Sequence, residues 1–265
     1  MSYASTSKAQ DNVKNRGDKG PSPAGTATFL GLRLADIPLQ YGILRLGWAD
    51  QLITRLGGTV LPQDAVVALT NTPLDALELS PYRLILLAMA TGSTVKQIYW
   101  LTALSYERLP PSTATFVASF ATTANTLNHL LFLNRATSAS VNGEGFPQTP
   151  LLVGMVLYAT GMLIECTAET QRYLFKKDPK NKGKVYTGGL FGVARHINYM
   201  GFLLWKTGYA VAAGGYTWGL VNAAMLGYNF TRCIPPLAHY CQERYGEQWE
   251  QYTRQTPYKM CPGIY

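Results

Sequence analysis

The chain has 265 residues and a formal net charge of +8, with 47% hydrophobic, 12% aromatic and only 14% charged residues. That length can bury a sizeable core, and against the roughly 25% charged residues of an average soluble domain the deficit of charge points toward lipid. Its four cysteines, Cys166, Cys233, Cys241 and Cys261, are too widely spaced for a zinc knuckle and too few for a disulfide scaffold, and are expected to be reduced thiols.

Residues 1–27 are rich in Ser, Lys, Asn, Asp, Gly and Pro and have no apolar run, the composition of a disordered arm. No apolar core follows their basic start, so a cleavable signal is not expected. Residues 29–56 are amphipathic and carry Arg33, Asp36, Arg45, Asp50 and Arg55; they are expected to span a bilayer poorly or to lie at its interface. Apolar stretches near spanning length follow at 84–104, interrupted by Lys96, at 113–133, and at 151–164, where the chain meets Glu165. Turn formers separate them at Leu109-Pro110-Pro111-Ser112 and at 142–150. Residues 207–230 are uncharged, and Gly208, Gly214, Gly215 and Gly219 make them read as two short spans or a re-entrant hairpin rather than one straight helix. The expected fold class is all-α: a polytopic membrane bundle of about four to six segments.

The strongest local signal lies between these apolar stretches. Arg172, Lys176, Lys177, Lys180, Lys182 and Lys184 fall within thirteen residues with one acid, Asp178, among them. Gly183, Gly188, Gly189 and Gly192 follow, and flexible backbone beside clustered cations suits a pyrophosphate or a 2'-phosphate. An anionic lipid headgroup fits as well, whereas a soluble nucleic-acid patch is a poor explanation beside such apolar flanks. In a helix, Glu165, Glu169, Arg172 and Lys176 form one polar stripe at spacings of four, three and four; the plain alternative is a salt-bridged helix end. Arg195, His196, Asn198 and Tyr199 stand at the mouth of the next apolar segment, where ionisable groups are costly and point to function. In the tail, Tyr245, Trp249 and Tyr252 recur at helical spacing, as an interfacial aromatic belt or as a lid over a nucleotide to which His239, Arg244 and Arg254 add polar contacts. The positive-inside rule puts the 172–184 loop, and with it the N-terminus if an even number of spans intervenes, in the cytosol.

The pattern Glu165, Gln171-Arg172, Phe175, Asp178-Pro179, Asn181-Lys182-Gly183, Gly189-Leu190, Arg195-His196, Asn198-Tyr199, Gly201 resembles the steroid 5-alpha-reductase-like membrane family, the domain of unknown function 1295 group. The tail from Tyr245-Gly246 through Trp249, Tyr252 and Pro257-Tyr258-Lys259 to Pro262-Gly263-Ile264-Tyr265 is similar to the C-14 and delta-7 sterol reductases. The resemblance implies a cofactor-binding half at 150–265 and, at 28–149, membrane segments that shape a cavity for a hydrophobic substrate. It implies NADPH, with Gln171, Arg172 and Lys176 on its phosphates and Arg195, His196, Asn198 and Tyr199 along the same nucleotide. The implied reaction is reduction of a carbon-carbon double bond in a sterol, enone or isoprenoid-like lipid at the endoplasmic reticulum, with Tyr99 and Tyr106 as candidate proton donors and Lys96 and Glu107 near them.

Two further readings stay open. Isoprenylcysteine carboxyl and phospholipid methyltransferases share the Arg-His-x-x-Tyr-x-Gly core and use S-adenosylmethionine, which has no phosphate to match six cations. A non-catalytic lipid-binding protein on the same fold is the third reading, because residues 233–239 lack the acidic cluster that sterol reductases carry just before the tail.

Overall fold

The computed structural model describes residues 20–63, 68–105 and 107–265. Among these residues the chain is all-helical and has no β-strand. Seven helices follow in order: α1 (Pro23–Arg45), α2 (Asp50–Arg55), α3 (Pro81–Tyr99), α4 (Pro111–Leu133), α5 (Thr149–Lys177), α6 (Ile197–Tyr245) and α7 (Glu247–Gln255). The start signals are local: Ser80 caps α3 ahead of Pro81, and α4 begins at the second proline of Pro110-Pro111, where a missing N–H costs nothing. α1 begins at Pro23, inside the stretch expected to be a polar arm; residues 1–19 of that arm lie outside the described residues.

α3 continues into a π-helical turn at Trp100–Leu104. Among the described residues, these together form one of two helices long and apolar enough to cross a membrane, the other being α5. α5 does not stop at Glu165 but runs twelve residues further, because Glu165 and Glu169 turn inward and find partners there.

α6 is not one rod. Gly214 and Gly215 leave the helical region, Gly215 with φ +74°, and the chain reverses. Tyr199 stacks on Phe230 with ring centroids 4.8 Å apart, whereas thirty-one residues of straight helix would separate them by about 46 Å. The hairpin expected from the glycines of 207–230 is therefore present, with its turn at Gly214–Gly215. The α5–α6 contact is the most extensive in the molecule, and glycines on both sides make it close. A Cβ on Gly161 would sit 2.3 Å from the Trp205 backbone nitrogen, and one on Gly208 2.5 Å from that of Tyr158.

The sequence expectation for 29–56 needs correction. Arg33 and Asp36 do not lie at an interface: they are 0% and 1% exposed in the core. Arg33 Nη1 reaches Asp36 at 3.0 Å and its Nη2 donates to Thr94 at 2.7 Å, while Gln40 and Asn125 donate to the two Asp36 oxygens at 2.8 Å each. The i,i+3 spacing and hydroxyls from α3 and α4 neutralise a pair that looks unburiable in one dimension.

Candidate functional site

The α5–α6 interface carries a ladder of polar contacts. Lys96 on α3 forms an ion pair with Glu165 on α5, and the second oxygen of Glu165 accepts the Trp205 indole N–H at 2.6 Å. One turn along, Glu169 accepts from Asn198 at 2.8 Å and pairs with Arg172 at 2.5 Å. The polar stripe read from the sequence thus divides: its two acids are buried and spoken for, while Arg172 and Lys176 are exposed. Tyr99 ends α3 on the same side, its hydroxyl 3.0 Å from that of Thr170. Tyr106 lies outside the described residues.

The basic loop folds back on the end of α6. Lys176 donates to the Lys184 carbonyl and to the Tyr245 hydroxyl at 3.1 Å, and its ammonium lies 4.9 Å from the centre of that ring. Arg244 stacks beside it, over Tyr240 and Tyr245, and its hydrogen bond to the Tyr240 hydroxyl raises its pKa further. Among the described residues no carboxylate pairs with Lys176, Lys177, Lys180, Lys182 or Lys184. A cleft of about 650 Å³ opens beside Lys176 and Lys177, walled by Ser22, Leu101, Ser105 and Glu107. Lys176 and Lys177 beside such a cleft suit a polyphosphate, against which Glu107 in the wall sets a negative charge.

Other sequence candidates have structural work. Gln171 Oε1 accepts the Leu190 N–H at 3.0 Å and supports the turn at Gly189, where φ is +55°. Arg195 Nη1 donates to the carbonyls of Thr256 at 2.6 Å and of Pro257 and Thr253 at 3.3 and 3.4 Å, bracing the C-terminus of α7. Burial holds Arg195 below the ordinary arginine pKa. The backbone N–H groups of Arg195 and His196 donate to Tyr258 and Lys259, so the tail is strapped to the Arg-His segment. Trp249 and Tyr252 are buried, and Tyr252 donates to the Phe191 carbonyl at 2.7 Å; they pack inward rather than forming an interfacial belt. His196 stacks on Tyr199 at 5.4 Å, continuing into Phe230.

His239 and Arg254 are not drawn into this cluster. Each is exposed and pairs along its own helix, with Glu243 at 3.1 Å and Glu250 at 4.0 Å. Two core features escaped the sequence reading: the Arg33–Asp36 pair and Lys206, a buried lysine beside Trp205. The signal for Lys206 was a lone cation inside an apolar run, the same signal that singled out Lys96.

Among the described residues the fold is all-helical, with close-packed glycine helices and a basic C-terminal half to which the tail is strapped. Residues 113–256 match the family described as "Protein of unknown function (DUF1295)", and the chain belongs to that family, which is steroid 5-alpha-reductase-like. It is 38% identical to a probable O-methyltransferase, ustE, of Ustilaginoidea virens, over 89% of this chain and 84% of that one. It is 37% identical to the 7-dehydrocholesterol reductase of Danio rerio over 32% of this chain and 18% of that one. With a delta(14)-sterol reductase of Gibberella zeae it shares 25% identity over 44% of this chain and 34% of that one. The chain therefore spans about a fifth to a third of these two sterol reductases.

Proposed function

We propose that this protein is a membrane reductase that uses NADPH to saturate a carbon-carbon double bond in a hydrophobic substrate. The observation that carries the reading is the run of five lysines from Lys176 to Lys184 that have no carboxylate partner among the described residues, the first two of which line the cleft. NADPH has three phosphates to meet them, and S-adenosylmethionine has none. The likeness of the C-terminal part to sterol reductases supports the same reading.

When bound, NADPH supplies the hydride. The chain's own residues do the rest. Arg172, held by Glu169, and Lys176, held by Tyr245, present fixed positive charge to phosphate oxygens. Tyr99 gives a proton to the carbon that does not receive the hydride, its hydroxyl aimed by Thr170. The substrate enters from lipid, a reading supported by the large apolar side chains that α3, α4, α5 and the second limb of α6 expose, among them Val95, Phe116, Phe120, Val156, Leu220 and Met225. The basic loop 172–184 then faces the cytosol at the endoplasmic reticulum membrane.

Methyl transfer is the second reading, because the relative that matches along nearly the whole chain is named a probable O-methyltransferase. One experiment separates the two: thermal unfolding of the purified protein with NADPH, NADH or S-adenosylmethionine, for wild type and for Arg172→Ala and Lys176→Ala. A ligand that binds only the folded state raises the melting temperature, by an amount equivalent to about 2.7 kcal/mol at a hundredfold excess over Kd. Stabilisation by NADPH that weakens in both variants supports the reductase. Stabilisation by S-adenosylmethionine alone refutes it, and silence with all three favours a non-catalytic lipid-binding protein.

A further inference from the structure

Five charged side chains from α1, α3, α5 and α6 bear on one another in the bundle: Arg33, Asp36, Glu165 and Lys206, all buried, and Lys96, half-buried. Arg33 is paired with Asp36 and Lys96 with Glu165; Asp36 also accepts from Gln40 and Asn125, and Glu165 from Trp205. Glu169, the next buried acid along α5, is paired with Arg172. Lys206 is the third cation. It is 7% exposed, no carboxylate pairs with it among the described residues, and Arg33, Lys96, Glu165 and Asp36 are the charges that bear on it. Its ammonium rests against aromatic faces, 4.5 Å from the centre of the Trp205 ring and 5.9 Å from that of Phe202. The Lys96 ammonium is 5.9 Å from both of the same rings. Arg33 adds a second unused donor, since its buried Nε has no hydrogen-bond partner.

We propose that this core is a binding site for a hydrophobic molecule with one ionised oxygen, a carboxylate or a phenolate, and that Lys206 is its counter-ion. A buried ammonium without an anion is costly, and burial is sustained when a partner neutralises it. One added negative charge brings three cations and two carboxylates to neutrality. The Trp205–Phe202 pair, T-shaped with centroids 5.2 Å apart, offers an apolar wall to the body of the ligand. This site does not depend on which cofactor the C-terminal half takes, so it stands or falls separately from the reductase reading.

The test needs no cofactor. Wild type, Lys206→Met and Lys206→Arg are placed in nanodiscs of uncharged phosphatidylcholine at mildly alkaline pH. Laurate, dodecanol and 2-naphthol are titrated against tryptophan emission, and the absorption of bound naphthol is recorded. Laurate should bind wild type roughly tenfold or more tightly than dodecanol, as a charge-assisted hydrogen bond requires. Lys206→Met should erase that preference and Lys206→Arg should keep it. Bound 2-naphthol should absorb as naphtholate in wild type and as naphthol in Lys206→Met. A preference for laurate alone assigns a carboxylate ligand, and a naphtholate spectrum alone assigns a phenol. Equal affinities for laurate and dodecanol in wild type together with neutral bound naphthol, or a preference that survives in Lys206→Met, overturn the proposal. If Lys206→Met does not fold, the wild-type ratio and spectrum, with Lys206→Gln, decide in the same way.

Discussion

Replacing Gly161 by alanine should destabilise the protein, although in an open helix the same exchange stabilises. The added Cβ would stand 2.3 Å from the Trp205 nitrogen and 2.6 Å from the Gly201 carbonyl oxygen. Both are backbone atoms, so no rotamer change relieves the contact, and α5 and α6 must part by about 1 Å to restore van der Waals distance. Alanine in place of glycine gains about 1 kcal/mol of helix propensity, while overpacking a tight interface costs about 1 to 3 kcal/mol or more. Here the higher end applies, because separation also pulls at the Glu165–Trp205 and Glu169–Asn198 hydrogen bonds that cross the same seam. The net loss should be about 1 to 2 kcal/mol. Gly31→Ala is the control: that glycine lies within α1 with open space around it, and its substitution should stabilise by about 0.5 to 1 kcal/mol. The assay is thermal or denaturant unfolding of both variants in the same detergent. A Gly161→Ala protein as stable as Gly31→Ala would refute the close approach of the two helices.

Three more outcomes are expected. Lys96→Met leaves Glu165 without its cation and should cost about 3 to 5 kcal/mol; Lys96→Met with Glu165→Leu should regain much of this, which a double-mutant unfolding cycle measures. Arg195→Ala removes the donor shared by three carbonyls at the end of α7. It should cost about 1 to 3 kcal/mol and make the tail after Gln255 the first site of limited proteolysis. The Thr149 backbone N–H at the start of α5 holds the Glu144 carboxyl below its ordinary pKa. With the folded value depressed, its stabilising contribution is present above the unfolded carboxylate pKa and lost as pH falls through the folded one. Glu144→Gln should therefore lower the melting temperature at neutral pH and match wild type in acid, as a pH series of melts reads directly.

Part of the site was legible in one dimension because its signals are local. The stripe Glu165, Glu169, Arg172, Lys176 needs only a helical period, and the turn at Gly214–Gly215 needs only glycines in an apolar run. Tyr99 reaching Thr170 and Lys176 reaching Tyr245 were not legible, since these pairs are about seventy residues apart and depend on how helices lean together. The reading of Arg195 shows the opposite limit. Its motif marks it out, but only the folded tail reveals that its Nη1 donates to carbonyl oxygens after α7.

The sequence by itself determined the helical class, the break between apolar stretches at Pro110-Pro111, the cationic stretch 172–184 and the family, because each rests on residue types at short spacing. The tertiary structure decided the rest. It sent Arg33 and Asp36 into the core instead of to an interface, paired His239 and Arg254 along their own helices, and left Lys206 buried with no carboxylate partner among the described residues. Charge compensation depends on which distant side chains meet, and spacing along a chain does not encode that.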